Sequence, residues 1–350
     1  MKTPNKLNFI DLFSGAGGFL RGFLDEGFTP LFSIENWKPA ISTHKTNYPK
    51  VKIIEKDIRK VSNSELIELK GKNKVSVVVG GPPCQGFSTI GNRNPEDERN
   101  NLILEFLRVV KVLKPDYFIM ENVRGLVSAK EGYYRDILIE KFKNIGYLNV
   151  ICKVICAADY GVPQKRYRVI FIGSLDGKEM DFPKITNRKD EYEPIKKHIM
   201  DLVGKENNFA NHIPMNHNTT VKERIKYILE GGGINKNIPE HLLKGSRSDY
   251  KNNTLKNFSH VYKRLHRNKP STTMVPGHNA FPLHPTEDRS LTVREAARIQ
   301  TFPDDVIFQG TRQEQCIQVG NAVPVLLARV FAKHIKNKIN NGSKSRHTCR

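Results

Sequence analysis

The sequence predicts an α/β protein built on a mostly parallel sheet, with a second, smaller and loop-rich domain inserted before the chain returns to the first. Three observations carry this. Short apolar strands alternate with helical segments from residue 7 to residue 172, the alternation stops after Gly173, and order returns from Leu291 onward.

The strand candidates are Leu7–Leu12, Leu31–Glu35, Val51–Ile54, Val75–Val79, Tyr117–Glu121, Leu148–Cys156 and Tyr167–Ile172. Each is a short run of Val, Ile, Leu and aromatic residues, as strands covered on both faces require. Helix candidates lie between them at Gly18–Glu26, Pro39–Asn47, Ser62–Leu69, Leu102–Lys114 and Tyr133–Ile145, and Ser62 followed by Glu65 fits a capping box. The last two strands are joined only around Gly161 and Pro163, too short for a parallel crossover, so antiparallel pairing is expected there. Asn-, Lys-, Pro- and Gly-rich chain, including Gly231-Gly232-Gly233, then runs to about residue 288. Thr292–Thr301, closed by Phe302-Pro303, and Val323–Ile339 read as helices, the last returning to the first domain. The expected organisation is therefore a first domain over 1–175 completed by 289–340, a second domain over 176–288, and a basic tail over 341–350.

With 350 residues, 38% hydrophobic and 27% charged, the chain has room for about two domains. A peptide-sized module, a collagen-like chain and a disordered chain are excluded. No apolar stretch approaches the roughly 18 residues of a bilayer helix, and no signal-peptide core precedes Asp11. The expectation is an intracellular, cytoplasmic protein without a membrane partner. Five scattered cysteines do not form a disulfide framework. Cys152 and Cys156 would share one face of a strand with Val154, as buried packing rather than a metal site, because no second Cys or His pair follows at zinc spacing. No metal is expected.

The net charge of +21 favours a polyanionic partner. It is concentrated between His241 and Lys269, where eight Lys or Arg stand against the single acid Asp249. Tyr250, Tyr262 and interleaved Asn, Ser and Thr supply groups of the kind that contact phosphates and base edges. Nucleic acid is the expected partner, with Lys244, Arg247, Lys263, Arg264 and Arg267 as contacts. Six further basic residues from Lys333 to Arg350 read as a solvated tail.

The first strand ends in Asp11-Leu12-Phe13-Ser14-Gly15-Ala16-Gly17-Gly18, a glycine-rich turn opening a helix, where bare backbone approaches a nucleotide-like ligand. Leu20 stands where a dinucleotide fingerprint has its third glycine. Glu35 ends the second strand, where a carboxylate accepts from ribose hydroxyls, and Asp57 follows the third. Without a phosphate-gripping GxxxxGK, the pocket favours an adenosine cofactor lacking a triphosphate, with NAD as the competitor. The fourth strand delivers Gly80-Gly81-Pro82-Pro83-Cys84-Gln85-Gly86-Phe87-Ser88 to the same edge, with Cys84 in a nucleophile's setting. The fifth ends in Glu121-Asn122-Val123. Gln164-Lys165-Arg166-Tyr167-Arg168 opens the seventh, with Arg166 and Arg168 on one face by period-two geometry.

Taken in order, these segments resemble a DNA (cytosine-5) methyltransferase of the bacterial restriction-modification type. The matches run from Phe13–Gly18 through Glu35, Asp57, Pro82-Pro83-Cys84-Gln85, Glu121-Asn122-Val123, Gln164, Arg166, Arg168 and Arg289–Pro303 to Gly320-Asn321-Ala322-Val323. They span nearly the whole chain. The resemblance implies a Rossmann-like S-adenosylmethionine-dependent methyltransferase domain with a target-recognition domain. It implies that Cys84 adds to carbon 6 of cytosine, Glu121 holds ring nitrogen 3 and the exocyclic amine, and Arg166, with Arg168, meets the base carbonyl or the adduct. It implies a flipped-out target base in double-stranded DNA.

The cofactor set implied is Phe13, Ser14, Gly15, Gly17, Gly18, Glu35, Asn36, Asp57, Ile58, Pro83, Asn321 and Ala322, with Gln85 and Ser88 on the DNA. Asn36 stands where several relatives have Trp and Trp37 follows it, so either could pack on the cofactor. A cognate restriction endonuclease is the implied system partner, and monomeric action in the bacterial cytoplasm at the nucleoid is the family expectation. The other readings are a tRNA (cytosine-5) methyltransferase and a catalytically silent DNA-binding regulator. Zinc-dependent deamination fits less well, because Cys84 is followed by Gln85-Gly86-Phe87 rather than a second cysteine ligand.

Overall fold

The computed structural model describes residues 6–83, 101–128, 132–175, 177, 179–206, 208–243, 260–275 and 281–345. The first part of the chain alternates as β1 (Asn8–Leu12), α1 (Gly18–Asp25), β2 (Thr29–Glu35), α2 (Lys38–Asn47), β3 (Ile53–Glu55), α3 (Asn63–Lys70), β4 (Val77–Gly80), α4 (Asn101–Leu113) and β5 (Tyr117–Val123). It continues through the short α5 (Gly125–Ser128), α6 (Tyr133–Asn144), β6 (Asn149–Cys156), β7 (Gln164–Lys165) and β8 (Tyr167–Ser174). Beyond lie α7 (Lys196–Ile199), α8 (Thr219–Lys226), α9 (Glu240–Leu243), β9 (Ser271–Thr272), α10 (Val293–Ile299), α11 (Arg312–Asn321) and α12 (Val325–Ser345).

Seven strands form one sheet in the order β3-β2-β1-β4-β5-β8-β6. The pairs β2–β3, β1–β2, β1–β4 and β4–β5 are parallel, while β8 runs antiparallel to both β5 and β6. The short connection after β6 enforces that reversal, as expected.

Period-two geometry sends alternate side chains to opposite faces. On one face Ile10, Leu12, Val78, Phe118, Met120 and Phe171 pack against Leu66 of α3, Phe106 and Val110 of α4 and Phe142 of α6. On the other, Phe9, Val77, Val79, Ile119, Ile170 and Ile172 pack against Phe19, Leu20 and Phe23 of α1 and Leu327, Phe331 and Ile335 of α12. A parallel sheet with helices on both faces is thus completed by a helix from the far end of the chain. A third cluster joins Ile195 and Ile199 of α7 to Val293, Ala296 and Ile299 of α10 and to Cys316 and Val319 of α11. A small separate core, with Ile225, Ile228, Leu242, Tyr262 and Leu283, holds the α8–α9 region.

Four expectations need correction. Ser62 caps α3 by accepting from the Glu65 amide, but the Glu65 carboxylate is drawn to Lys56 Nζ at 2.8 Å, so only half of the capping box forms. Cys152 and Val154 pack on the first face, whereas Cys156 at the strand's end joins Ala158 and Tyr192 in a separate cluster. The chain from Gln164 is not one strand: β7 pairs with β9, the ladder breaks at Arg166, and β8 starts afresh. Finally, the helical run Arg312–Asn341 is long and apolar enough to cross a bilayer, yet 67% of its most apolar window is buried inside the fold. Its α12 part covers the sheet and α1, while its α11 part packs against α7 and α10.

Candidate active site

The strand order reverses direction between β1 and β4, and ligands of open α/β sheets bind outside the carboxyl ends of the strands at such a point. The glycine turn after β1 and the proline turn after β4 flank it. The first turn is built from left-handed residues: Phe13 has φ 56°, Gly15 53° and Gly17 82°. At Phe13, a non-glycine residue, that conformation costs on the order of 1 kcal/mol and persists only because neighbours impose it. The Ser14 amide donates to the Ile34 carbonyl at 3.2 Å and the Gly17 amide to the Ser14 carbonyl at 2.8 Å.

Glu35 organises this turn. Its carboxylate accepts from the amides of Gly15 at 2.8 Å, Asn36 at 2.8 Å and Trp37 at 2.9 Å, leaving Oε2 with one protein donor and room for a ligand hydroxyl. Ser14 Oγ is buried and has no hydrogen-bond partner among the described residues. Behind the turn Asp11 is buried, which pushes its carboxyl well above the usual range; the Leu20 amide opposes that and the Glu35 carboxylate adds to it. Asn36 is exposed and Trp37 half-buried.

At the end of β3 the Asp57 carboxylate caps a short turn over Ile58–Lys60 and is gripped by Arg59, through Nε at 3.0 Å and Nη2 at 2.6 Å. That guanidinium holds its carboxyl below the usual range, against the effect of burial. Ile58 lies buried under Arg108, whose Nη2 donates to its carbonyl.

Glu121 stands near the carboxyl end of β5, 8% exposed, and its Oε1 pairs with Arg168 Nε at 2.8 Å. Neighbouring Asn122 donates from Nδ2 to the Pro82 carbonyl at 3.0 Å and takes the Val123 amide at 2.8 Å, so it clamps the turn that leads to Cys84. A side chain at Gly81 would meet Glu121 Oε2 at 3.1 Å, which keeps this turn bare. The Asn122 clamp was not legible in sequence, since an Asn beside a strand-end Glu has no spacing signature.

Arg166 and Arg168 part company. Arg166 is 1% exposed, and its Nη1 and Nη2 donate to the Gly320 carbonyl at 2.9 Å and the Asn321 carbonyl at 3.3 Å. Burial drives its pKa well below the ordinary arginine value, the nearby Arg168 charge adds to that, and Glu121 opposes it. Arg166 is thus tied to the end of α11, with its Nε buried and bonded to none of the described residues, while Arg168 is the arginine held at Glu121. Asn321 is exposed and Ala322 buried, with the Val323 carbonyl resting on Gly18.

The expected DNA contacts are redistributed as well. Arg264 is 4% exposed and all five of its N–H donors are engaged, by the carbonyls of Ile228, His284, Glu287 and Ile225 and by the Asp288 carboxylate. It is a structural hub, unavailable to a phosphate. Arg267 is half-exposed and forks onto Glu230, and Lys263 Nζ donates to the Gly231 carbonyl at 2.6 Å. Cys84, Gln85, Ser88, Lys244 and Arg247 lie outside the described residues.

A family model of C-5 cytosine-specific DNA methylases matches residues 7–337. The chain is 42% identical over 336 residues to the type II methyltransferase M1.HphI of Haemophilus parahaemolyticus, covering 94% of this chain and 86% of that protein. It is 36% identical to the type II methyltransferase M.DdeI of Desulfomicrobium norvegicum, over 94% of this chain and 88% of the relative. Among solved structures, an E. coli prophage-encoded protein assigned as a DNA modification methyltransferase superposes with a TM-score of 0.72 at 27% identity, covering 96% of this chain and 100% of that one.

Proposed function

The chain belongs to the C-5 cytosine-specific DNA methylases, of the type II restriction-modification kind, and from that premise we propose that it methylates one cytosine within a specific double-stranded DNA sequence, using S-adenosylmethionine and a covalent cysteine adduct. The observation that carries this reading is the Glu121–Arg168 pair, set at 2.8 Å beside the Gly81–Pro83 turn that leads directly into Cys84.

Carbon 5 of cytosine is a poor nucleophile until something adds to carbon 6. In this reading the Cys84 thiolate forms the sulfur–carbon 6 bond and its electron pair passes into the ring. Glu121 binds ring nitrogen 3 and the exocyclic amine, stabilising the enamine, and Arg168 fixes the Glu121 carboxylate and faces the base carbonyl. The enamine carbon 5 then takes the methyl group, S-adenosylhomocysteine being the leaving group; a base removes the carbon 5 proton, its electron pair restores the ring double bond, and the sulfur–carbon 6 bond breaks to regenerate the Cys84 thiolate. A duplex hides both carbons, so the target must leave the stack to reach this edge.

The glycine turn fits an adenosyl ligand. Glu35 keeps an open acceptor site toward a ribose, Ser14 Oγ is buried with no partner among the described residues, and a side chain at Gly17 would stand only 3.0 Å from the Tyr48 ring. When bound, S-adenosylmethionine supplies an electrophilic methyl group. Phe13, Ser14, Gly15, Gly17, Gly18 and Glu35 would hold it from the β1–β2 side, with Asn36 or Trp37, Asp57 and Ile58 beside the base, and Pro83, Asn321 and Ala322 closing the site. The proposed setting is the bacterial cytoplasm, with a cognate restriction endonuclease cutting the same sequence and the enzyme acting as a monomer.

The test is to incubate the protein with unmethylated bacterial DNA and labelled S-adenosylmethionine, then map incorporation base by base. Label at one short recurring cytosine motif, lost in Cys84→Ser with cofactor binding retained, is the expected result. Label in transfer RNA but not DNA would replace the proposed substrate. Cofactor and DNA binding without incorporation would favour a silent regulator.

A further inference from the structure

Four backbone carbonyls at the carboxyl end of α11 lie beyond the reach of the helix's own amides. They are divided between two buried side chains. Arg166 takes Gly320 at 2.9 Å and Asn321 at 3.3 Å, while Gln300 Nε2 takes Val319 at 2.7 Å and Ala322 at 3.3 Å. The negative end of a ten-residue helix thus faces the guanidinium, which pairs directly with no carboxylate among the described residues.

Gln300 does more than share the helix end. Its Oε1 accepts from Gln164 Nε2 at 3.0 Å, Gln164 Oε1 accepts from the Met274 amide at 3.0 Å, and the Met274 carbonyl accepts from Arg166 Nη1 at 3.4 Å. The circuit closes on itself: Arg166, α11, Gln300, Gln164, Met274 and back to Arg166. Gln300, Gln164 and Met274 are 0% exposed. Both amide orientations are forced, because Gln300 Nε2 faces two carbonyl oxygens and Gln164 Oε1 faces an N–H. Gln300 is itself pinned: its carbonyl accepts from the Val325 amide at 3.1 Å and from Thr301 Oγ1 at 2.7 Å.

We propose that Gln300 is a positioning residue for methyl transfer, holding the Val319–Ala322 helix end so that the arginine segment on one side and the glycine turn on the other keep one fixed spacing. On one side the circuit seats Arg166, two residues before the Glu121 partner Arg168. On the other, Val323 lies against Gly18, and Ala16 packs in the same cluster as Ala322 and Val325. A slackened helix end moves both halves of the site. The sequence marked the Arg289–Pro303 segment that holds Gln300 but not this residue's part in it, since Gln300 alone reads as the polar end of a helix before Phe302-Pro303. The inference rests on the reaction proposed above.

The experiment compares wild type, Gln300→Met, Gln164→Met and the double variant on unmethylated genomic DNA, with kcat and KM for S-adenosylmethionine normalised to folded protein. Met matches Gln in length but makes none of these bonds. Gln300→Met is expected to lower kcat about tenfold and raise the KM several-fold, as misplacement of positioned groups by a fraction of an ångström does. Gln164→Met, which leaves the two helix-end bonds of Gln300 in place, should show a smaller change of the same kind, and the double variant should be no worse than Gln300→Met alone. Gln300→Glu adds a pH signature: ionised, it opposes the Val319 and Ala322 carbonyls; protonated, it regains one donor, so its kcat relative to wild type should rise as pH falls.

Constants within twofold of wild type for both single variants, whatever happens to their melting temperatures, would overturn the proposal. If Gln300→Met does not fold, Gln164→Met decides alone. An inactive wild type would instead sink the proposed reaction, a distinguishable result.

Discussion

The α-carbon of Gly18 presses against the Val323 carbonyl: a methyl group at that position would stand 2.1 Å from the oxygen. Two segments some three hundred residues apart in sequence are thereby held in backbone contact, with the first turn of α1 on one side and the turn between α11 and α12 on the other. No rotamer change relieves such a clash, because both partners are main chain.

Gly18→Ala should therefore cost at least the 1–3 kcal/mol typical of overpacking. It should also weaken S-adenosylmethionine binding at least tenfold. Thermal unfolding and calorimetric titration measure the two effects; a destabilised protein with unchanged affinity would separate the α1 contact from the cofactor site.

Glu121→Gln keeps the shape of the side chain but removes the charge that holds Arg168. Loss of a positioned acid or base costs about 10²–10⁴ in rate. Methyl transfer should fall by that order while S-adenosylmethionine affinity stays within a few-fold. Arg168→Ala should fall alongside it, and the double variant should be scarcely worse than either single one, since the two act as a unit.

Arg264 and Arg267 differ in kind although they stand three residues apart. Arg264→Met leaves four carbonyls and the Asp288 carboxylate without their donor, a loss of several kcal/mol of stability of the sort seen when a buried charged partner is removed. Arg267→Ala, at an exposed ion pair with Glu230 that solvent screens, should leave stability almost unchanged. If the α8–α9 region faces DNA, Lys263→Ala with Arg267→Ala should also flatten the dependence of binding on salt. Arg264→Met destabilising no more than Arg267→Ala would contradict the buried-hub geometry.

Two buried histidines set an acid limit. Burial lowers His44 and His284 to about 4 from the ordinary 6.5, each neutral in the fold. Between those values the unfolded chain binds protons that the folded chain refuses, so stability falls as pH drops from 6.5 toward 4 and the loss is complete below that. Each contributes at most about 3 kcal/mol to this slope. Neither ring nitrogen of His44 has a hydrogen-bond partner among the described residues, so His44→Leu removes its share without orphaning any of them. The variant's denaturant midpoint should vary less across this window than wild type, and an identical slope would place the titration elsewhere.

Much of this fold was legible because the apolar runs are short, unbroken and separated by helical periodicity, a pattern that only a covered parallel sheet satisfies. The seven strands of the main sheet begin and end within about two residues of the expected limits, whereas β7 was not foreseen. The exceptions share a cause. Arg166 and Arg264 read as cations seeking a phosphate or a base, because sequence shows a side chain's charge but not the carbonyls that tertiary packing brings to it. The break in the ladder at Arg166 was hidden for the same reason: it depends on β9, more than a hundred residues away, capturing Gln164 and Lys165. Likewise α11 escaped notice, being polar outside its buried Cys316, Gln318 and Val319. At the site, Glu35 and Glu121 could be named from their places at strand ends, whereas Asn122 and Gln300 act through bonds to backbone, which carry no residue-type signature.

Because α12 covers one face of the sheet and the turn before it carries the seat of Arg166, the order of synthesis matters. A ribosome makes the glycine turn and Arg166 within the first half of the chain, yet Gly18 lacks its contact with Val323 and Arg166 its seat on Gly320 until residues beyond 320 leave the exit tunnel. Nascent chains and products of premature termination would hold every reactive group and remain without activity.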